Sequence, residues 1–350
     1  MIRAGLPACQ GLLLLAVAFL PGGCGSYADF TLPVLRGGDP NSTYTWEAVA
    51  APVLERGGGW DSHDVLNPSV VWRERSLPDG RGSELLNLYS GFDGRTWRTG
   101  LATSDDGHHW KKQGVVLGPD RQTWEGSYWA TNGTALFDGR QFWYWYQAGP
   151  REVPRIGLAH SADGRTWRKE PAPVLATGPR GSWDERGVAD PYVIRVGSWL
   201  YLFYLGQDRA QRQRLGVARS RDGLHWEKLR SNPILELGDM GAFDENGLGE
   251  PAIWVAKGFY WMLYTARDVH ENRRLGLARS TDGVRWKKLP AVFSGSEAWN
   301  SKVICDPSVI ATDSEVRVWF GGGDVARPDE NINGQIGFAI LRPVSATLAK

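Results

Sequence analysis

The sequence predicts an all-β fold, a five-bladed β-propeller closed by pairing of an N-terminal strand with the last blade. Two repeated patterns and one relationship between the chain ends support this prediction. In the first pattern an apolar strand runs into Ser-x-Asp-Gly-x-x-Trp, at a period of roughly 60 residues and with no helical periodicity between copies. Each copy predicts a hairpin that turns at Asp-Gly and returns at a tryptophan. The copies are GLATSDDGHHWKK (100–112), GLAHSADGRTWRK (157–169), GVARSRDGLHWEK (216–228) and GLARSTDGVRWKK (276–288).

The second pattern gives the number of blades. An aromatic residue precedes Asp, Glu or Asn, and a loop and a short strand follow. After each copy comes a further apolar run, so one unit holds three or four short strands. Repeated antiparallel sheets of this size, arranged radially, form a propeller. The five copies are GWDSHDVLNPSVV (59–71), TWEGSYWATNGTAL (123–136), SWDERGVADPYVI (182–194), AFDENGLGEPAIW (242–254) and AWNSKVICDPSVI (298–310).

The chain ends complement each other. The last unit reaches GQIGFAI (334–340) but has no Asp-Gly-Trp hairpin of its own. The segment YTWEAVAAPVLERGGGWD (44–61) is similar to RTWRKEPAPVLATGPRGSWD (165–184), which follows such a hairpin. The strand around Trp46 is therefore predicted to be the outer strand of the last blade, which removes an open sheet edge. The hairpin tryptophans are expected to pack between neighbouring blades.

The N-terminal residues predict export. GLLLLAVAFL (11–20) is an apolar run too short to span a membrane as a helix, and it is typical of a secretory signal peptide. The following LPGGC (20–24) resembles a bacterial lipoprotein signal, with Pro21 as a departure, which implies cleavage after residue 23 and lipidation of Cys24. The alternative is an ordinary signal peptide with an incidental cysteine. We expect a linker over 24–43, the propeller over 44–345, and a lipoprotein of the outer or cytoplasmic membrane, or a periplasmic or extracellular protein if lipid is absent.

Composition excludes several partners. A net charge of +1 over 350 residues, with no basic run, gives no reason to expect nucleic acid, and a membrane is expected only through the lipid anchor. The three cysteines, Cys9, Cys24 and Cys305, form no disulfide framework. No cofactor and no metal are predicted, because neither a histidine cluster nor a calcium loop is present; a structural calcium ion stays an open alternative. We expect a monomer.

One position of the second pattern carries the candidate chemistry. Counting seven residues on from each aromatic gives Asn67, Thr131, Asp190, Glu250 and Asp306, which we expect to form a ring at the mouth of a central funnel. Carboxylates that repel one another acquire different pKa values, and sugar hydrolysis uses such a pair as acid and as base or nucleophile. The alternative is that acids before proline simply accept hydrogen bonds from backbone amides.

Other residues extend this prediction. Acids at the earlier position of the pattern recur with the frame and are expected to tie the loop to a neighbouring blade; they are Asp61, Glu125, Asp184 and Asp244, with Asn300 in the fifth copy. Trp129 lies outside the repeated positions and is a candidate for sugar stacking. Asn132, beside Thr131, joins it as a candidate contact, and Asp61 is held as a possible contact for a reason given below.

The five units, the hairpins and the acid-before-proline strands resemble the five-bladed glycoside hydrolases of families 43 and 62 and the related families 32 and 68, over 44–342. The resemblance implies a tuning Asp at Asp190 and a general acid at Glu250. It also implies a first-blade Asp before Pro68, where this chain has Asn67. An amide cannot act as base or nucleophile, so Asp61, Asp64 or Asp306 would have to replace it.

Two functions follow as hypotheses. The first is a glycosidase on arabinosyl, xylosyl or fructosyl linkages that uses Glu250, Asp190 and Asp306. The second is a carbohydrate-binding propeller lipoprotein without activity. The hairpins also resemble those of sialidases, but SADGRTW (161–167) is one residue shorter than the sialidase repeat. Sialidases have six blades and an arginine cluster, whereas this chain has five units and no arginine at the ring positions.

Overall fold

A computed structural model describes residues 26–77 and 80–344. Almost all of its regular structure is β-strand, and the one helical element it describes is a 3-10 turn, Ala298–Asn300. The all-β prediction is confirmed. Within the described residues, no helix has the length and apolar character needed to cross a membrane. The predicted signal peptide and Cys24 lie outside the described residues.

Two short strands, β1 (Ser26–Ala28) and β2 (Thr43–Ala48), precede the repeats. The remaining strands form five consecutive antiparallel units. Unit one is β3 (Asp64–Leu77), β4 (Gly80–Phe92), β5 (Trp97–Ser104) and β6 (Lys111–Leu117). Unit two is β7 (Trp129–Phe137), β8 (Phe142–Ala148), β9 (Arg155–Ser161) and β10 (Arg168–Lys169). Unit three is β11 (Gly187–Val196), β12 (Trp199–Gln207), β13 (Gln213–Ser220) and β14 (Glu227–Leu229).

Units four and five complete the series. Unit four is β15 (Gly247–Ala256), β16 (Phe259–Arg267), β17 (Arg273–Ser280) and β18 (Lys287–Phe293). Unit five is β19 (Val303–Ala311), β20 (Val316–Gly323) and β21 (Gln335–Val344), to which β2 adds a fourth strand. In that pairing Trp46 lies opposite Leu341, so the predicted pairing of the N-terminal strand with the last unit is confirmed.

Hydrogen bonds join the units into three sheets. Short parallel contacts connect β5 to β7 and β17 to β19, whereas unit three forms a sheet with β1 alone. Backbone pairing therefore does not run unbroken around the molecule. Side chains fill the spaces between units, and the largest fully buried ones are aromatic, including Trp145, Trp261 and Trp319.

The segment before β2 is packed against the repeats. β1 pairs in parallel with β14, and the Leu32 N–H donates to the Asp282 carbonyl at 2.8 Å. Leu32 is buried, and Tyr260 donates its hydroxyl hydrogen to the Pro33 carbonyl at 2.8 Å. The linker prediction for 24–43 is therefore wrong for the described part of that segment. The apolar residues of this segment are too few and too irregularly spaced to predict its packing. The segment is held by backbone hydrogen bonds to the turns of units three and four.

Each Ser-x-Asp-Gly turn is built by side-chain acceptors. In unit three, Ser220 Oγ accepts the Gly223 N–H at 2.9 Å, and Asp222 Oδ1 accepts the amides of Leu224 and His225 at 2.9 Å. Gly223 has a φ of 76°, a left-handed value that glycine adopts without a Cβ clash. The turn thus satisfies its own backbone donors, which explains why the same residues recur at each copy.

The hairpin tryptophans contact the neighbouring units. The indole of Trp145 in unit two donates to the Gly223 carbonyl at 2.9 Å, and its ring meets Trp226 edge-on. The predicted packing between units is confirmed for three of the four hairpins. The pairs, with ring centroids 6.1–6.2 Å apart, are Trp110 with Trp319, Trp145 with Trp226, and Phe203 with Trp286.

The recurring early acids form buried ion pairs. Asp184 accepts Lys228 Nζ at 2.5 Å and the Tyr204 hydroxyl at 3.3 Å, with both charged side chains at most 2% exposed. The equivalent lysine contacts are Asp61–Lys112, Glu125–Lys169 and Asp244–Lys288. These acids have a structural role, but the predicted tie to a neighbouring blade is wrong. Each lysine comes from the outer strand of the same unit, so the ion pair closes a unit on itself.

Candidate active site

The first strand of every unit carries a bulge with a residue in the left-handed region. These residues have φ between 47° and 53° and each stands directly before proline or glycine. A left-handed conformation costs a non-glycine residue on the order of 1–3 kcal/mol, and it persists where the surroundings enforce it. The bulge aims five side chains toward one another. They are Asn67, Asn132, Asp190, Glu250 and Asp306, called the ring residues below.

The second ring residue differs from the predicted one. The ladder of β7 and β8 breaks between Thr131 and Thr134, and Asn132 is the left-handed residue. The loop of unit two is one residue longer than the others, so a count of seven from Trp124 ends one place early. Thr131 instead donates its hydroxyl to Ser90 Oγ at 2.5 Å. Both Thr131 and Asn132 line the same cavity.

Backbone hydrogen bonds link the ring residues in sequence order. The Glu250 N–H donates to Asp190 Oδ2 at 3.3 Å, and the Asp306 N–H donates to Glu250 Oε2 at 3.2 Å. The Asn67 N–H donates to Asp306 Oδ2 at 3.3 Å. Asn132 Nδ2 donates to Asp190 Oδ1 at 2.6 Å. Each acid therefore holds the backbone of the next unit, and the three carboxyls lie side by side as the sequence predicts.

Burial and mutual charge set the protonation of these acids. Burial first, and the charge of Glu250 second, raise the pKa of Asp190 to about 8. The same two causes, with a hydrogen bond to the Glu250 carboxyl, raise the pKa of Asp306 well above its ordinary value. Glu250 is only half-buried, whereas Asp190 and Asp306 are 7% and 5% exposed. Two acids with raised pKa values thus flank Glu250, which is the least buried of the three acids that line both cavities.

Two cavities meet at the ring residues. One, of about 280 Å³, is lined by the ring, by Trp97 and Trp129, and by side chains from the hairpin ends of units three and four. The other, of about 380 Å³, runs along the first strands on the opposite side. Trp129 packs on Tyr128 at 5.0 Å, and its indole N–H has no partner among the described residues. The first cavity, called the funnel below, therefore offers an aromatic wall above a carboxyl floor.

Comparison with known proteins agrees with this geometry. The sequence profile of the glycosyl hydrolases family 32 N-terminal domain matches residues 89–236. Raffinose invertase of Escherichia coli is 29% identical over 181 residues, 49% of this chain and 36% of that protein. A solved glycoside hydrolase superposes with a TM-score of 0.67 at 17% identity, over 87% of this chain and 95% of that one. The family model thus matches part of this chain, and the solved glycoside hydrolase shares its fold.

A further relative extends the comparison. The uncharacterized protein Rv1502 of Mycobacterium tuberculosis is 24% identical over 227 residues, which cover 60% of this chain and 75% of that protein. The predicted resemblance to the propeller glycoside hydrolases is confirmed by the family model and by the shared fold.

Two acids near Asn67 are engaged away from the ring. Asp61 is 4% exposed and holds Lys112 Nζ at 2.6 Å, and it lines neither cavity. Asp64 accepts the backbone amides of Asn331, Ile332 and Gly334 at 2.6–3.1 Å. Neither is therefore placed to replace the carboxylate that the superfamily pattern has at Asn67. Of the three replacements considered from sequence, the structure brings only Asp306 to Glu250.

The funnel also holds residues that the sequence pattern did not indicate. Arg151, Arg267 and Arg273 line it, with Gln207 and Gln213. They lie on the hairpin ends, one strand out from the ring positions, where the sequence analysis did not look for function. The sequence did contain a signal for them. Arg267 and Arg273 stand at the positions that Gln207 and Gln213 occupy in the preceding copy of the repeat.

A loop of unit five forms part of the funnel wall. Residues 324–334 connect β20 to β21, and Glu330 accepts the Tyr128 hydroxyl at 2.6 Å. Arg151 lies 3.1 Å from both Asp329 and Glu330 and stacks over Tyr128. Unit five is thereby joined to unit two across the mouth of the funnel.

One cluster has the composition of a metal site. Oxygen atoms of Glu250 and Asp306 and the sulfur of Cys305 lie within 4.8 Å of one another. Burial and the neighbouring acids raise the pKa of the Cys305 thiol well above its ordinary value. A thiol that keeps its proton is a poor metal ligand, and its hydrogen is instead directed at Asp306 Oδ2 at 3.0 Å. The cluster fits proton sharing better than it fits a metal.

Proposed function

We propose that this protein is a glycoside hydrolase of oligo- or polysaccharides, with its five units arranged as five blades around the funnel. One observation carries the proposal: the half-buried Glu250 lies between two buried acids at the floor of a cavity with an aromatic wall. Sugar rings stack on such walls, and acids of unequal pKa supply the proton transfers that glycoside cleavage needs.

Glu250 is the group proposed to protonate the leaving oxygen, because it is the least buried of the three ring acids that line the funnel. Its proton comes from Asp306, which has an oxygen within 4.8 Å of a Glu250 oxygen and whose pKa is raised by burial and by the charge of Glu250. When the proton passes through Glu250 to the leaving oxygen, Asp306 is left as a carboxylate. Asp306 then acts as the second catalytic carboxylate.

One atom supports this second role for Asp306. Its Oδ1 is buried and has no hydrogen-bond partner among the described residues, whereas its Oδ2 accepts the Asn67 amide. A buried oxygen without a partner is costly, and a substrate or water contact would satisfy it. Asn67 takes the position of the usual first-blade acid but contributes only an amide contact. Asp190 holds the Glu250 backbone and tunes its surroundings.

The linkage class follows from the superfamily resemblance. Arabinosyl, xylosyl and fructosyl linkages are the first candidates, and the name of the E. coli relative adds raffinose to the test. A carbohydrate-binding protein without activity is the second candidate, favoured by Asn67.

Purified protein screened against a polysaccharide and oligosaccharide panel tests the proposal. We expect reducing-sugar release by the wild type, loss of release in Glu250→Gln, and retained binding of the same sugar by that variant. Binding without release by the wild type would select the second candidate. Absence of both would overturn the glycosidase proposal.

Export and lipidation of Cys24 stay a separate proposal, based on residues 1–24 alone. Metabolic labelling with a palmitate analogue tests it, with Cys24→Ala as the matched control. Label on the wild type and not on the variant is the expected result.

A further inference from the structure

We infer that Arg267, Arg273 and Gln213 form an oxyanion-binding subsite in the wall of the funnel, beside the proposed catalytic acids. The inference rests on the proposed function for its place in catalysis and on separate observations for its chemistry. The ligand class is an oxyanion: a carboxylate carried by the sugar, or free phosphate.

The first observation is a like-charge pair at a repeated position. Arg267 lies directly opposite Arg273 across β16 and β17. The equivalent cross-strand pairs are Gln207 with Gln213 in unit three and Phe92 with Trp97 in unit one. Opposed like charges destabilise a sheet, and burial of charges adds to that cost. The equivalent position holds an amide pair in unit three and an aromatic pair in unit one, so two guanidinium groups in unit four require a specific explanation.

The second observation is that Arg267 is incompletely paired. Its side chain is 16% exposed, and its Nε has no hydrogen-bond partner among the described residues. The neighbouring Glu271 lies 3.4 Å from Nη1, and its Oε2 likewise makes no hydrogen bond. Nη2 donates to Gln213 Oε1 at 2.8 Å, so Nε is the donor of Arg267 that no described protein group satisfies. An oxyanion that accepts from Nε matches the guanidinium in charge.

The third observation is the space beside the Arg267 guanidinium. Gly247 pairs with Arg267 across β15 and β16, and both line the funnel. A Cβ at residue 247 would lie 3.1 Å from Arg267 Nη2, 3.2 Å from Arg267 Nε and 3.0 Å from Gln213 Oε1. Arg267 Nη2 donates to Gln213 Oε1 at 2.8 Å, and glycine at 247 leaves room for that contact. Because Oε1 accepts from Arg267, the Gln213 Nε2 hydrogens are the donors that this side chain can offer to a ligand.

The subsite adjoins the acids. The charges of Glu250 and Asp306 act on Arg273, and Arg273 donates to the carbonyls of Arg327 and Pro328. Arg151, the third arginine of the funnel, is already paired with Asp329 and Glu330. A bound oxyanion thus contacts Arg267 at the level of the sugar whose linkage is cleaved.

The two sources of the oxyanion predict different products. A sugar carboxylate makes the enzyme selective for uronic-acid glycosides, which water then cleaves. With free phosphate, a phosphate oxygen bonds to the anomeric carbon as the glycosidic C–O bond breaks. Glu250 passes its proton to the leaving oxygen, and the proton of the phosphate group replaces it. The products are then a sugar 1-phosphate and a free alcohol.

Calorimetric binding to the full-length Glu250→Gln protein tests the subsite. The probes are uronic-acid oligosaccharides, the same oligosaccharides after carboxyl reduction, and inorganic phosphate. We expect at least tenfold tighter binding of the carboxylate form than of the reduced form, or millimolar or tighter binding of phosphate. Adding Arg267→Gln should abolish that preference, and Arg267→Lys should keep part of it, which also identifies any folding defect in the glutamine variant.

Arg274→Gln is the matched control, because Arg274 follows Arg273 in β17, is 39% exposed and does not line the funnel. It should leave all binding unchanged. Equal binding of carboxylate and reduced forms without phosphate binding would overturn the subsite, as would a preference that survives Arg267→Gln. If the wild-type protein cleaves none of the sugars but the carboxylate form is still bound more tightly than the reduced form, the subsite is supported and the glycosidase proposal is contradicted.

Discussion

The Asp306 N–H donates to Glu250 Oε2 at 3.2 Å, and the carboxyls of these two residues have oxygen atoms within 4.8 Å of each other. Two acids from neighbouring units thus lie close enough for the proton transfer proposed above. The backbone donor of one is fixed by the side chain of the other, so the contact depends on how units four and five pack. Chemistry and assembly are joined at this pair.

Replacement of either acid should test this proton transfer. We expect Glu250→Gln and Asp306→Asn each to lower kcat by about 10²–10⁴-fold, the range for loss of general acid–base catalysis. The double variant should be little worse than either single variant, because the two residues act as a unit. Steady-state kinetics on the substrate found by the panel measures this. Additive losses would show that the two acids act independently.

The product should keep its anomeric configuration. Oxygen atoms of Glu250 and Asp306 lie within 4.8 Å of each other. Carboxyl groups about 5–5.5 Å apart are typical of retaining enzymes, whereas inverting enzymes need about 6.5–9.5 Å to admit a water between them. NMR of the first product formed, before mutarotation, decides the outcome. An inverted anomer would remove Asp306 as the partner of Glu250.

Stability should fall as pH rises because of Asp190. Its pKa is raised from 3.8 to about 8 in the folded chain, so the folded state binds a proton that the unfolded state releases. The stabilisation is full below about pH 4 and is lost as pH rises toward 8, at up to about 1.4 kcal/mol per pH unit. Asp190→Asn should make this dependence shallower, and the raised pKa of Asp306 accounts for the part that stays. Denaturant unfolding of both proteins between pH 4 and 8 tests it, and parallel curves would contradict it.

The buried ion pair of unit three should matter more than its counterparts. Lys228 and Asp184 are at most 2% exposed, whereas Lys112 in unit one is 30% exposed. Loss of one partner leaves a buried charge, so Lys228→Ala should cost about 3–5 kcal/mol in the free energy of unfolding. Lys112→Ala is the matched control and should cost less, because the lysine of that pair is 30% exposed to solvent. Equal costs in chemical denaturation would show that burial does not set the energy.

Trp129 should contribute to binding and not to the chemical step. Trp129→Ala is expected to raise KM by roughly tenfold with kcat nearly unchanged, the loss typical of one stacking contact. Trp72 is the matched control, since it is 50% exposed and lines the cavity on the opposite side of the ring. An effect of Trp72→Ala in place of Trp129→Ala would move the substrate to that opposite cavity.

The sequence predicted the strands and the acids well because both follow from repetition. A residue at a repeated position of the pattern, such as Asp190 in unit three and Glu250 in unit four, occupies the equivalent place in each unit. The same rule misplaced the second ring residue, since one inserted residue before Asn132 is invisible to a count from Trp124. A left-handed bulge before glycine marks it in the structure, and the Asn-Gly dipeptide was its sequence signal.

Features that depend on contacts between units were beyond the sequence. The direct contact of Asp306 with Glu250, the anchoring of Leu32, and the opposed Arg267 and Arg273 arise from packing that no local pattern encodes. Export of the chain and lipidation of Cys24 remain predictions.

The pairing of β2 with β21 has a consequence for biosynthesis. Thr43 and Val344 are partners, so nearly the whole chain must be synthesised before β2 can pair with β21. Contacts this distant in sequence are slow to form. Until β2 pairs, the edge of β21 is unpaired and can form hydrogen bonds with a strand of another chain. A circular permutant opened between two other units would place that seam in a local hairpin, and its refolding should be faster.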